Sequence, residues 1–128
     1  MKLNVMFIIA AIYGLYAGLV GLLSPSFMGV AIASTPVFLI MTTRFWGVAS
    51  LGLGVIAWLV RNAEPSKTRD AVVQGFTFFF ALDALVSLYG QFVDPDPLSM
   101  HWLFVVIEGL IAVGFFMAYR SSRATNAS

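Results

Sequence analysis

The chain has 128 residues, 60% of them hydrophobic and only 10% charged, where a soluble domain carries about 25% charged residues. Its net charge of +1 and lack of a basic patch give no support for nucleic-acid binding. The absence of cysteine excludes disulfides, thiolate metal sites and cysteine nucleophiles. A chain this short and apolar is expected to have lipid as its solvent and to form a single domain over residues 1–128.

Four runs come close to the ~20 apolar residues that a membrane-spanning helix needs. They cover about 4–23, 42–60, 71–90 and 100–119. No alternation of period two marks barrel strands. The fold class expected is therefore an all-α membrane protein, a four-transmembrane-helix bundle.

The first span, NVMFIIAAIYGLYAGLVGLL, carries Ala10, Gly14 and Gly18 at a spacing of four, with Ala17 and Gly21 on an adjoining stripe. The second repeats the spacing with Ser50 and Gly54, and adds Gly47 and Gly52. Small residues at this spacing let helix backbones approach closely in lipid, where no hydrophobic force drives helices together. Packing inside one bundle is the simplest expectation for Gly14, Gly18, Ser50 and Gly54. A homodimer through the Gly14/Gly18 face is the alternative. The motif AIAS at 31–34 resembles a signal-peptide cleavage site, but the apolar run is too long and ends about ten residues too early, so cleavage is not expected.

The segment 24–43, SPSFMGVAIASTPVFLIMTT, is long for a bundle connection and interrupted by Pro25 and Pro36. It is expected to form an interfacial helix or a flap over the outer mouth. RNAEPSKTRD, at 61–70, reads as a polar hairpin in which Ser66 or Thr68 caps the third helix. VDPDPLS, at 93–99, reads as a tight turn stiffened by Pro95 and Pro97, with Asp94 and Asp96 solvated. Phe76, Phe78, Phe79 and Phe80 wrap almost every face of the third span, so some of them must meet lipid or a partner. Gln74, near the inner end of that span, is expected to hydrogen-bond to another helix.

Lys2, Arg61, Lys67, Arg69, Arg120 and Arg123 fall on one side of these spans, and Arg44 alone falls on the other. The positive-inside rule then places both termini in the cytoplasm. Trp46 and Trp102 would mark the outer interface and Trp58 the inner one.

Asp83 sits in the apolar stretch FFFALDALVSLYG, where an ionised carboxylate costs about 2.5–3.5 kcal/mol on insertion scales. With a rise of 1.5 Å per residue, Asp83 lies about 10 Å below the outer end of the third span and Glu108 about 12 Å below that of the fourth. The two carboxyls therefore share a depth on adjacent antiparallel helices. His101 lies two turns from Glu108 on the same face, and Ser87 one turn from Asp83. Arg44 at the outer mouth and Tyr16 on the first span could reach the same region. These six residues are expected to form a polar site in the outer half of the membrane. Two facing carboxyls in low dielectric should share a proton. The cluster can equally be an ion pair that fixes helix register, a ligand- or proton-handling site, or a contact with a partner subunit.

No metal-ligand spacing is present, and too few oxygens cluster around Asp94 and Asp96 for calcium. No cofactor is expected. Ser24, Ser26 and Ser34 lack a base, so nucleophilic catalysis has no support.

Arg44 opening a Gly-rich second helix (RFWGVASLGLGVIAW), the short basic hairpin, a polar residue inside the third span and Glu108 inside the fourth together resemble the DoxX-like group of small bacterial four-helix membrane proteins. The resemblance covers about residues 40–118. Members of that group tend to carry a basic residue in the third helix, where this chain has Asp83. The resemblance implies the four-helix architecture and, from a few relatives, an accessory role beside quinone-linked oxidoreductases.

The function expected is a membrane binding or accessory-subunit protein, whose partners are the bilayer and either a small amphipathic ligand or a larger membrane complex. The alternatives are a membrane enzyme, an isomerase or quinone-linked redox component using Asp83 and Glu108 as acid and base, and, last, a proton-coupled carrier.

Overall fold

A computed structural model describes residues 2–24, 26, 34–93 and 100–126. Its four helices are α1 (Leu3–Leu23), α2 (Val37–Val60), α3 (Lys67–Val93) and α4 (Met100–Asn126). All four are long and apolar enough to cross a membrane. Large apolar side chains such as Ile12, Phe38, Phe45, Leu59, Tyr89 and Leu110 remain exposed. So much exposed apolar surface suits lipid as the solvent, since water tolerates only small apolar patches.

The second helix starts earlier than the sequence suggests. Residues 37–41, expected in an interfacial segment or flap ahead of a span starting at 42, belong to the first turns of α2. Pro36 does not prevent this because it precedes the helix, where a missing N–H is harmless, and its carbonyl accepts from the amides of Leu39 and Ile40. The polar pair Thr42 and Thr43 does not end the run either. Each hydroxyl donates back to its own helix, to the carbonyls of Phe38 and Leu39 at 2.9 and 3.1 Å, so little polarity is left facing outward. Most of the remaining expected flap, and the turn with Asp94 and Asp96, lie outside the described residues.

The other two helices also outrun their apolar cores. Ser66 caps α3, its Oγ accepting from the Arg69 amide at 3.1 Å, which starts the helix four residues before the expected 71. The basic tail past 119 stays helical through Asn126. There Arg120 stacks on Phe116 and Arg123 on Tyr119, each four residues back, with centroid distances of 5.7 and 5.6 Å.

The chain divides into two compact units, residues 1–6 with 61–128, and residues 7–60. Within the second, α1 and α2 run antiparallel along a seam of small residues. Gly47, Ser50, Gly54 and Ala57 form the buried stripe of α2, and Gly14, Ala17, Gly18 and Gly21 are buried on α1. A methyl group on Gly18 would lie 2.6 Å from the Leu51 nitrogen and 2.8 Å from the Gly47 carbonyl oxygen, and one on Gly14 would lie 2.9 Å from the Gly54 Cα. The Gly14/Gly18 face is thus filled by the same chain's α2. Gly52, in contrast, has nothing within 4 Å of the position a methyl would take; it lies off the seam.

In the other unit, α3 and α4 form an antiparallel hairpin with an aromatic centre. Phe76 and Phe80 are one turn apart on α3 and both stack on Phe115 of α4, at centroid distances of 5.5 and 6.5 Å. Phe79 meets Phe80 edge-on at 5.3 Å. Of the five phenylalanines on α3, Phe76 and Phe80 are core, whereas Phe78 and Phe92 are exposed. Gln74 bonds between helices as expected, its Nε2 donating to the Tyr119 hydroxyl at 3.2 Å.

Candidate functional site

The α3–α4 hairpin has a register that repeats every seven residues, or about 10 Å. Phe76 meets Phe115, Asp83 hydrogen-bonds to Glu108, and His101 packs against Gly90. Each pair is one heptad beyond the last, the spacing that keeps a seam facing its partner when helices pack at a shallow angle. Arg69 and Ser122, one heptad below Phe76 and Phe115, border the same cavity near the start of α3 and the end of α4. The carboxyl pair is therefore a rung of the packing seam, directly above the aromatic centre.

The pair itself is asymmetric. Glu108 is among the most deeply buried side chains, at 1% exposed, whereas Asp83 is half-buried. An ionised carboxylate only accepts hydrogen bonds, so a bond between two carboxyl groups needs a proton on one of them. The pair then carries at most one negative charge rather than two, which is the cheaper state in a low-dielectric seam. Chemically it can hold a proton, give one up, or accept a donor or cation on the side where Asp83 is open.

Of the other residues expected at this site, His101 lies one heptad further out. Its imidazole comes within 3.4 Å of the place a methyl on Gly90 would take, about 10 Å along the axis from the carboxyl pair. Its Nδ1 is buried and makes no hydrogen bond among the described residues. Ser87 is half-buried on α3 between the two rungs. Tyr16 and Arg44 belong to the α1–α2 unit, where both are exposed, Tyr16 at 70%. The structure thus joins Asp83 to Glu108 and sets His101 and Ser87 along the same seam. Among the described residues, no group of three His, Cys, Asp or Glu could hold a metal ion.

A further set of residues escaped the sequence reading. Arg69, Ser122, Tyr119 and Arg123 border cavities at the opposite end of the hairpin. The i, i+4 pairs Phe116–Arg120 and Tyr119–Arg123 were the visible signal for them.

Fold and site together define an all-helical protein with four candidate membrane spans and a hydrogen-bonded acid pair between two of them. No family model matches the chain, and no curated protein or solved structure does either.

Proposed function

We propose that this chain is a small integral membrane binding or accessory protein, and that Asp83, backed by Glu108, is its recognition residue. The single observation that carries this is the geometry of the pair. Glu108 is enclosed, while Asp83 is half-open beside the exposed apolar Val86 and Leu82. A polar group left partly open to hydrocarbon is costly, and a donor or cation from a ligand or partner subunit would relieve that cost. In this proposal the four helices form one bundle in a bacterial inner membrane with both termini cytoplasmic, as six of seven basic residues on one side suggest. Membership of the DoxX-like group belongs to the same proposal and rests on Arg44, the Gly-rich second helix and Glu108.

The test is a native mass spectrum of the protein released gently from its own membrane. The wild-type chain should carry a discrete small mass other than phospholipid, or foreign subunits, and Asp83→Asn should lose them. Glu108→Gln keeps a hydrogen-bond donor for Asp83 and should weaken retention less. A bare wild-type species, or equal retention by Asp83→Asn, contradicts the proposal. The shared proton favours a second reading, a membrane enzyme using the pair as acid and base on a lipid-soluble substrate. In that case a folded Glu108→Gln protein loses turnover as completely as Asp83→Asn.

A further inference from the structure

At the inner end of the α3–α4 unit, two neighbouring cavities take no part in the function proposed above. The first, of about 280 Å³, is bordered by Leu3, Pro65, Ser66, Arg69, Asp70, Ser122 and Arg123. Two guanidinium groups against one carboxylate leave it with a net positive charge. Arg69 is the key member, because it stands on the packing seam and its Nε is buried with no hydrogen bond among the described residues. A guanidinium N–H removed from water needs an acceptor, and anionic oxygens in a planar array suit it best. Asp70 does not fill that role, since no ion pair joins it to Arg69; its place in the first turn of α3 favours its charge through the helix dipole.

The second cavity is a groove of about 490 Å³, with Phe78, Ala81 and Phe116 as its apolar wall and Gln74, Thr77, Tyr119 and Arg123 at its polar end. Thr77 turns its hydroxyl proton back to the Val73 carbonyl at 2.9 Å, which makes its stretch of wall less polar. The Tyr119 hydroxyl accepts from Gln74, so its own proton remains available to an acceptor in the groove. Arg123 borders both cavities and stacks on Tyr119. From Arg69 to Ala81 is twelve residues of helix, about 18 Å, close to one leaflet of a hydrocarbon core about 30 Å thick.

We propose that these cavities bind one anionic phospholipid, its phosphate between Arg69 and Arg123 and one acyl chain along Phe78, Ala81 and Phe116. Basic pockets between membrane helices select anionic headgroups in this way. The ester carbonyl below the phosphate meets the Tyr119 hydroxyl. A free phosphate would use only the first cavity; the groove joined to it through Arg123 is what specifies a lipid.

The test uses the full chain in detergent micelles with phosphatidylglycerol or phosphatidylcholine of identical acyl chains, read by native mass spectrometry. Phosphatidylglycerol should be retained roughly tenfold better, and excess inorganic phosphate should not displace it. The double variant Arg69→Gln/Arg123→Gln should lose the preference while keeping the phosphatidylcholine background. Ala81→Trp, which fills the groove and leaves both arginines in place, should lower retention of phosphatidylglycerol. Equal retention of the two lipids by the wild-type chain, displacement by inorganic phosphate, or an intact preference in the double variant would overturn the proposal. Asp83→Asn should leave the preference unchanged, so this test and that of the carboxyl pair fail separately.

Discussion

Alanine in place of Gly18 or Gly47 destabilises the α1–α2 unit by about 1–3 kcal/mol each, the usual cost of overpacking a close-packed site. The added methyl has nowhere to go. At Gly47 it would lie 2.6 Å from the Leu22 nitrogen and 2.8 Å from the Gly18 carbonyl oxygen, and these are backbone atoms that no side-chain rotation can move. The helices must separate, and the van der Waals contacts along the seam weaken together, in a solvent that offers no hydrophobic compensation. Opposing this is the better helix propensity of alanine, worth about 1 kcal/mol. Gly52→Ala isolates that gain, since open space surrounds it, and should be neutral or slightly stabilising. Thermal unfolding of the three variants in micelles decides the matter. If Gly18→Ala and Gly47→Ala unfold with Gly52→Ala, the close approach of α1 and α2 is wrong.

Phe115→Ala has an effect of similar size on the other unit. The ring is fully buried and stacks on both Phe76 and Phe80. In a water-soluble core the change would cost about 3–5 kcal/mol. Lipid is as apolar as the core, so much of the transfer part disappears. The cavity part remains, about 2 kcal/mol for roughly 100 Å³ at ~24 cal/mol per Å³, and the lost ring contacts add about 0.5–1.5 kcal/mol each. Phe78→Ala is the control, because Phe78 is exposed and should change stability little. Phe115→Leu should recover part of the loss. Equal melting temperatures for Phe115→Ala and Phe78→Ala would show that the aromatic centre does not hold the hairpin.

Much of this was legible in the sequence for a simple reason. Spans in lipid are set by length and apolarity, and the closest helix contacts by the positions of glycine. Gly14, Gly18, Ser50 and Gly54 were readable as a seam from their spacing alone. Gly52 was not separable from them, because one residue of rotation decides whether a glycine faces a helix or open space. The depths of Asp83 and Glu108 followed from counting residues, and their hydrogen bond agrees with that count. Tyr16 and Arg44 were expected at the same site but are exposed within their own unit; a residue's position along a helix says nothing about its direction around it. The start of α2 was hidden because Pro36 made residues 37–41 read as part of an interrupted segment, whereas it only precedes the helix. The cavities beside Arg69 and Arg123 were hidden because the sequence pattern presents both residues first as topology signals.

The most direct measurement for the carboxyl pair is the infrared spectrum of the reconstituted protein, with aspartate and glutamate isotope-labelled in turn. A shared proton gives a carboxylic-acid C=O band that responds to both labels. In Asp83→Asn and in Glu108→Gln it should change frequency and respond only to the label of the remaining acid, and in the wild-type chain it should shift when the retained mass or partner is present. A spectrum showing only ionised carboxylates, or a wild-type band that responds to a single label and is unmoved by substitution of the other residue, would contradict a proton shared between Asp83 and Glu108, and with it the role proposed for the pair.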